Sequence, residues 1–188
     1  MEDRLLDKIA EPFNLQLPEF ESMEAMLDGV LPSLKGSTTS YLDADDPDNP
    51  LFAGNWVRMT DTPGATQVVL YTFSPMGNIR IATDGEISNS SFEIESRTRI
   101  IMGESPHRGS MLYNLVLLNN DYFILMRHGN TENFKNKYVV FCTEAIGSRL
   151  KWDEALERLV AQHRDSNFPI GIIVAFLLVT LALLYFFF

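Results

Sequence analysis

The sequence contains a single cysteine, and this scarcity excludes one class of small β protein. Cys142 has no partner within the chain, so the fold cannot be one of the disulfide frameworks that are common in secreted domains. Nothing in the cysteine usage argues for an oxidising compartment. Cys142 lies in the apolar stretch KYVVFCT, and we interpret it as a small core residue rather than a nucleophile.

Clusters of basic residues are also missing. The net charge is -10 at pH 7, and it is unevenly distributed along the chain. Residues 1–50 carry twelve acids and three bases, whereas residues 51–188 carry thirteen acids and twelve bases. Phosphate binding requires a basic face, so this composition excludes nucleic acid as a partner. The acidity belongs to residues 1–50, which we interpret as an N-terminal arm and linker.

The residue patterns of common active sites are scarce. His107, His128 and His163 are far apart in the sequence, without the paired spacing that is typical of a metal site. Neither a G-x-S-x-G elbow nor a phosphate-binding glycine loop is present. We therefore expect no catalytic residue, no metal and no cofactor. His128, at the end of a predicted strand, is the one position to test for a haem.

Charge is absent from residues 168–188, FPIGIIVAFLLVTLALLYFFF. A helix of this length spans about 30 Å, so the segment predicts a transmembrane helix with membrane lipids as its partners. Such a helix at the end of a chain inserts after synthesis, which leaves the preceding domain on the side where it was made. Among the membranes that use such anchors, the mitochondrial inner membrane is favoured over the plastid and the endoplasmic reticulum.

Residues 51–165 carry the pattern of a β domain. Short apolar segments with the period of strands alternate with turn residues such as Asp84-Gly85 and Gly129-Asn130. Eight antiparallel strands joined by hairpins favour a closed up-and-down barrel or a sandwich, since closure removes exposed edges. The eight candidates are 55–60, 66–73, 78–83, 90–95, 97–103, 110–118, 121–128 and 137–143.

Helical patterns flank this domain. Residues 148–163, SRLKWDEALERLVAQH, have one apolar stripe and predict a single helix against the barrel wall. In the N-terminal arm, residues 4–10 and 20–27 predict two short amphipathic helices. Their apolar side chains fold back on the barrel, pack on a partner or stay disordered, and the sequence does not decide among these. Residues 35–50 are polar, acidic and proline-bearing, which is typical of a linker.

Several of these features occur in the order and spacing of one known family. Gly54-Asn55-Trp56 opens the first predicted strand, Asn120-Asp121-Tyr122 forms the turn before the seventh, and one helix follows the last. Residues 50–163 resemble the lipocalins, which open their barrel with a G-x-W motif and carry a T-D-Y turn. The resemblance implies an eight-stranded barrel whose closed end is plugged by Trp56. It makes a set of residues candidates for the barrel floor or a ligand pocket: Gly54, Trp56, Tyr71, Phe73, Tyr122 and Phe141.

One departure from the lipocalin pattern concerns this plug. The family usually has an arginine just after the last strand, stacked across the tryptophan. Here that position falls on Thr143 or Glu144, and Arg149 is five residues late. Either the plug is built differently or Arg149 reaches back to Trp56.

Two functions follow from these observations. An eight-stranded barrel is filled by its own side chains or holds one small apolar ligand. The strands YNLVLL and YVVF are apolar at nearly every position, so both faces of the barrel need cover. We therefore expect a non-catalytic accessory subunit, docked on a larger membrane protein complex such as a respiratory or photosynthetic one. The alternative is a tethered carrier that binds a lipid, fatty acid, quinone or pigment in the barrel.

Overall fold

The computed structural model shows a closed antiparallel barrel of eight strands. It describes residues 20–34, 40–65, 67–103, 109–129 and 137–166. Each strand pairs with the next along the chain and β1 pairs with β8, so the predicted up-and-down barrel is confirmed. The strands are β1 (Asn55–Arg58), β2 (Val69–Ser74), β3 (Asn78–Thr83), β4 (Glu86–Ser96), β5 (Arg99–Gly103), β6 (Ser110–Leu118), β7 (Tyr122–Arg127) and β8 (Tyr138–Thr143).

Two tight hairpins form where the sequence predicts breaks between strands. Asp84 and Gly85 join β3 to β4 with φ angles of 49° and 87°, and two positive angles are typical of a type I′ turn. Gly77 closes the turn between β2 and β3 with φ 81°. A side chain at Gly77 would also bring Cβ to 3.0 Å from the carbonyl oxygen of Phe92. Both turns therefore depend on residues that tolerate a left-handed backbone.

β4 extends well beyond the strand predicted over residues 90–95. It runs from Glu86 to Ser96, and it pairs with β3 from Glu86 to Ser91. The outward residues of this strand, such as Asn89 and Glu93, are exposed to solvent. Backbone hydrogen bonds hold this part of the sheet together. Because such bonds do not require apolar side chains, the sequence shows no apolar alternation here from which the strand could be predicted.

The interior of the barrel is a core of large apolar side chains. Its members come from every strand and from the segment that precedes β1. The buried interior residues are Leu42, Leu51, Trp56, Tyr71, Phe73, Ile79, Ile81, Phe92, Ile100, Met102, Tyr113, Leu118, Phe123, Leu125, Val139 and Phe141.

A second core lies outside the barrel, over β1, β7 and β8. Two helices cover the outer face there: α1 (Met23–Leu34) and α3 (Trp152–Ser166). Ile124 and Val140 are buried beneath these helices, whereas their neighbours Phe123 and Phe141 are buried inside the barrel. β7 and β8 are thus buried on both faces, which explains why they are apolar at nearly every position. The sequence did not decide whether the N-terminal arm folds back on the barrel, packs on a partner or stays disordered. In the structure, the second of its two predicted helices folds back on the barrel.

Polar contacts hold α1 in place. The amide of Met23 donates to Asp61 Oδ2 at 3.0 Å, so a residue from the loop after β1 caps the helix. Asp28 Oδ1 lies 2.7 Å from Lys137 Nζ and accepts a hydrogen bond from the Tyr138 hydroxyl at 2.7 Å. Burial raises the pKa of Asp28, but the hydrogen bonds from Lys137 and Tyr138 outweigh it, and the pKa lies below its ordinary value.

The helix predicted over residues 148–163 is present as one helix, but it begins at Trp152 and a separate short helix precedes it. A short helix, α2 (Glu144–Gly147), follows β8 directly, and α3 begins at Trp152. A Cβ atom at Gly147 would lie 2.5 Å from Cβ of Val57, so α2 touches β1 where only glycine fits. Ser148 and Leu150 then turn the chain, with their amides donating to Glu144 and Ile146. The apolar stripe in the sequence did not predict this close contact with the barrel wall.

The expected architecture needs one correction. Among residues 20–166, as far as they are described, no helix is long and apolar enough to cross a membrane. The longest of them, α3, has 15 residues, which corresponds to about 22 Å, and it carries charged residues from Asp153 onward. The predicted transmembrane segment, residues 168–188, lies outside the described residues, as does the predicted helix over residues 4–10.

Candidate functional site

One end of the barrel, which we call the base, is closed by the chain segment that precedes β1. The base is the end where β1 begins and β8 ends. The amide of Ser40 donates to the Leu118 carbonyl at 2.8 Å, and that of Leu42 donates to the Arg97 carbonyl at 2.9 Å. Leu42 and Leu51 are fully buried in the interior core. The described part of the expected linker, residues 40–50, therefore lies across the base and seals it.

Asn49 organises this segment. It is the buried polar residue of the described core, with 2 % of its surface exposed. Its Nδ2 atom donates to the Tyr41 carbonyl at 2.7 Å, and its Oδ1 atom accepts from the Leu51 amide at 3.1 Å. Asn49 thereby caps the 3₁₀ turn Pro50–Phe52 and connects it to residues 40–42. Both hydrogen bonds are needed because the side chain is shielded from water.

Trp56 lies directly above this seal. Its indole is 1 % exposed, and Nε1 donates to the Leu51 carbonyl at 3.0 Å. The ring packs on Phe123, with 5.9 Å between the ring centroids. Arg149 is exposed on the surface, so it does not reach back across the buried indole. The plug is thus built from the Leu51 carbonyl and aromatic packing, and this answers the question raised by the missing arginine.

The aromatic candidates Tyr71, Phe73 and Phe141 all meet inside the barrel next to Trp56. Tyr71 and Phe141 meet edge to face at 5.0 Å, and Phe73 meets Phe141 in the same way at 6.0 Å. Phe123, which was not among the candidates, stacks on Phe141 at 5.5 Å. Each such pair contributes about 0.5–1.5 kcal/mol beyond the burial of its area. These rings fill the lower half of the barrel.

Two candidates do not belong to this interior site. Gly54 is exposed, and a Cβ atom placed on it would have no neighbour within 4 Å. Tyr122 points outward, where its hydroxyl donates to the Ala155 carbonyl of α3 at 2.9 Å. Burial, together with the nearby Cys142, raises the pKa of Tyr122 well above its ordinary value. Tyr122 therefore fastens α3 to the barrel and does not line a ligand pocket.

The opposite end, which we call the mouth, carries two inward arginines that sequence reasoning missed. Arg58 is the partner of Phe141 in the sheet, and Arg127 is the partner of Tyr113. Partners in neighbouring strands lie on the same face, and both aromatic residues belong to the interior core. Arg58 and Arg127 therefore start from the interior face, and both are half-buried. Side chains alternate between the two faces of a strand, so the inward position of Trp56 could have predicted that Arg58, two residues later, also faces the interior.

Two grooves lie on the outer surface formed by the described residues. One, of about 460 Å³, lies between α1 and the outer face of β6 and β7, and it is lined mainly by Leu31, Leu34, Val116 and Met126. The other, of about 350 Å³, lies between the loop after β1 and the turn before α3, where Lys151 and Trp152 contribute to it. The first groove is apolar and the second is mixed in character.

The histidine, cysteine and acidic residues of the described ranges are the remaining candidates for chemistry. No group of three histidine, cysteine or acidic residues within the described ranges is placed to hold a metal ion. His128 is exposed beside Asn114, which lies 3.3 Å from its Nδ1 atom, and His107 lies outside the described residues. Burial, aided by Asp121, raises the pKa of the Cys142 thiol to about 12, so it stays protonated.

Comparison with known proteins adds no relative to this description. No family model, no curated protein and no solved structure matches the chain. The arrangement of its own residues therefore carries the interpretation. That arrangement is a sealed aromatic base, two arginines toward the mouth and an apolar groove outside.

Proposed function

We propose that this protein is a non-catalytic, lipocalin-like accessory subunit that acts through its surface, docked on a larger membrane protein complex. The observation that carries the proposal is the filled interior. Ile100, Tyr113, Phe123 and Phe141 expose none of their surface, and the aromatic rings contact one another directly. A barrel packed with its own side chains to this level has no deep apolar pocket for a carried ligand.

The lipocalin-like assignment is supported by the way the base is built. An up-and-down barrel of eight strands opens with Trp56 at its base, a 3₁₀ turn precedes it, and a helix follows β8. These features agree with the resemblance in the sequence. The respiratory or photosynthetic nature of the complex remains a prediction from the sequence.

The apolar groove between α1 and β6 is the surface that we propose for docking. Leu31, Val116 and Met126 line this groove and are only half-buried. The outer faces of the neighbouring strands, in contrast, are covered by α1 and α3. A groove of about 460 Å³ accommodates a few large apolar side chains. An apolar segment of a partner subunit would bury these residues as α1 buries the neighbouring ones.

Native mass spectrometry of the protein, extracted in mild detergent from its own cells, tests the docking. We expect it to migrate in a large complex and to release no small molecule on denaturation. Leu31→Glu should release the subunit, because it places a charge in the groove. Ile87→Glu is the matched control, since Ile87 is an exposed apolar residue on β4. A free monomer in the unaltered protein, or equal release by both variants, would contradict the proposal.

A second candidate is a carrier that holds a small apolar ligand near the mouth. It is favoured by the upper interior, where Val69, Thr83 and Met111 are half-buried rather than fully enclosed. The same mass spectra decide this candidate. A monomer that releases a lipid, fatty acid, quinone or pigment on denaturation supports the carrier and excludes the subunit.

A further inference from the structure

We propose that the groove between the loop after β1 and the turn before α3, which we call the loop groove, binds residues 11–19 of the same chain. This segment, EPFNLQLPE, directly precedes the described residues. The loop groove is separate from the apolar groove beside β6, so the inference does not depend on the accessory role. It assigns a binding surface to the part of the N-terminal arm that precedes Phe20.

The described chain begins next to the loop groove. The amide of Met23 donates to Asp61 Oδ2 at 3.0 Å, and Asp61 lines the groove. Phe20 is three residues before Met23, so it lies within about 11 Å of that amide. It also packs on the same outer core as Leu150 and Trp152, which line the groove as well. The six residues 14–19 span up to about 20 Å when extended, which is enough for the segment to enter the groove.

The segment has the pattern of an extended peptide with one apolar face. Large apolar residues occupy alternate positions of it, namely Phe13, Leu15 and Leu17. Successive side chains of an extended chain point to opposite sides, so these three lie on one side over about 13 Å. A proline near each end of the segment disfavours a helix there.

The loop groove presents apolar surface that the described residues leave uncovered. Val68 is 39 % exposed, Leu150 and Trp152 are half-buried, and Pro63 is exposed. The groove has a volume of about 350 Å³, which leaves room for apolar side chains from one short segment. Docking of the apolar face would remove both surfaces from water, and this stabilises the docked state.

The charges of the segment and the groove are complementary. Residues 11–19 carry two acids, Glu11 and Glu19, and no base. The groove is lined by two bases, Arg58 and Lys151, and by one acid, Asp61. Lys151 is exposed, and it takes part in none of the ion pairs within the described ranges. Opposite charges at the rim would orient the segment, whereas its affinity comes from the apolar face.

The covalent connection favours this segment over a separate partner or a second copy of the chain. A short linker gives an effective concentration on the order of 1 mM. If the free peptide bound with a Kd of about 0.1 mM, the connected segment would occupy the groove about ten times as often as it left it empty. The arm would then shield Val68 and Trp152 from all weaker ligands.

Trp152 provides the readout for a first test on the full-length protein in mild detergent. A bimane dye is attached to Gln16→Cys, on the polar face of the segment, and tryptophan quenches this dye at close range. Cys142 is buried and stays unlabelled in the folded protein. We expect emission at least about twofold lower than in the same labelled protein with Trp152→Phe, because the docked state is the major one. Equal emission from the two proteins overturns the inference.

Substitutions on the two faces of the segment provide the second test. In the labelled protein, Leu15→Asp should weaken docking by roughly tenfold or more and raise the emission, because it replaces an apolar contact by a charge. Asn14→Asp is the matched control, since it adds the same charge on the polar face and should leave the quenching unchanged. Circular dichroism confirms that both variants are folded. Unchanged quenching in Leu15→Asp, or equal loss in both variants, overturns the inference.

A mixing experiment distinguishes docking within one chain from docking between copies. Labelled protein with Trp152→Phe is mixed with an excess of unlabelled protein that retains Trp152. We expect no quenching in the mixture, because each groove is occupied by its own segment. Quenching that rises with the concentration of unlabelled protein would show that a second copy receives the segment, and it would overturn the inference.

Discussion

Trp56→Ala should be among the most destabilising single substitutions in this barrel. The indole is 1 % exposed, and its removal leaves a cavity directly above the seal formed by Leu51. Replacing a buried tryptophan by alanine typically costs about 3–5 kcal/mol. The substitution also leaves the Leu51 carbonyl without its donor at 3.0 Å, which adds about 1 kcal/mol. We therefore expect a loss of about 4–6 kcal/mol in the free energy of unfolding.

Two further variants separate the contributions to this loss. Trp56→Phe keeps an aromatic ring against Phe123 but removes the indole N–H, so it should cost about 1–2 kcal/mol. Trp152→Ala is the control, because Trp152 is half-buried at the start of α3 and outside the barrel. It should cost less than about 2 kcal/mol, since a half-exposed side chain loses less burial.

Urea unfolding, followed by far-ultraviolet circular dichroism, measures these differences. The β signal reports the whole barrel and does not depend on either tryptophan as a probe. A loss below about 1 kcal/mol for Trp56→Ala would refute the reasoning, because removing a buried side chain that plugs the base should lower the free energy of unfolding by more than that. A larger loss for Trp152→Ala than for Trp56→Ala would refute it as well.

Three other outcomes are expected. Asn49→Ala should lower the free energy of unfolding by about 2–3 kcal/mol, as both of its buried hydrogen bonds are lost, and an unchanged urea midpoint would contradict this. Asp28 has a lowered pKa, so its stabilising contribution is complete above the ordinary value near 3.8 and declines as pH falls below it. Asp28→Asn should reduce this part of the acid dependence of stability, and an identical pH profile would argue against the pairing with Lys137. Cys142 should react with a thiol reagent only after unfolding, because burial holds its pKa at about 12; rapid labelling of the folded protein would exclude this placement.

The local pattern of residues predicted the strands of the barrel well. Turn residues such as Asp84-Gly85 act over a few positions, and alternating apolar residues mark a strand without reference to the rest of the fold. Seven of the eight strand segments in the structure begin and end within a few residues of the expected positions. The longest strand, β4, was underestimated because its residues 86–90 are polar apart from Ile87, including Glu86, Ser88 and Ser90 on the interior face.

The inward or outward direction of single side chains was harder to predict. Tyr122 was expected in the barrel floor, yet it lies under α3, because β7 alternates regularly and Phe123, the next residue, faces the interior. Arg58 was passed over, although it follows Trp56 by two residues and so lies on the same face. A shift of one residue changes the face of every side chain that follows it.

By itself, the sequence determined the eight-stranded β domain, the place of Trp56 at the start of its first strand and the apolar character of both faces of β7 and β8. These properties depend on neighbours along the chain. The tertiary structure alone decided that residues 40–50 seal the base, that α1 and α3 cover the outer wall, and that Arg58 and Arg127 both start from the interior face near the mouth. Each of these contacts joins residues distant in sequence, and closure of the barrel determines which of them meet.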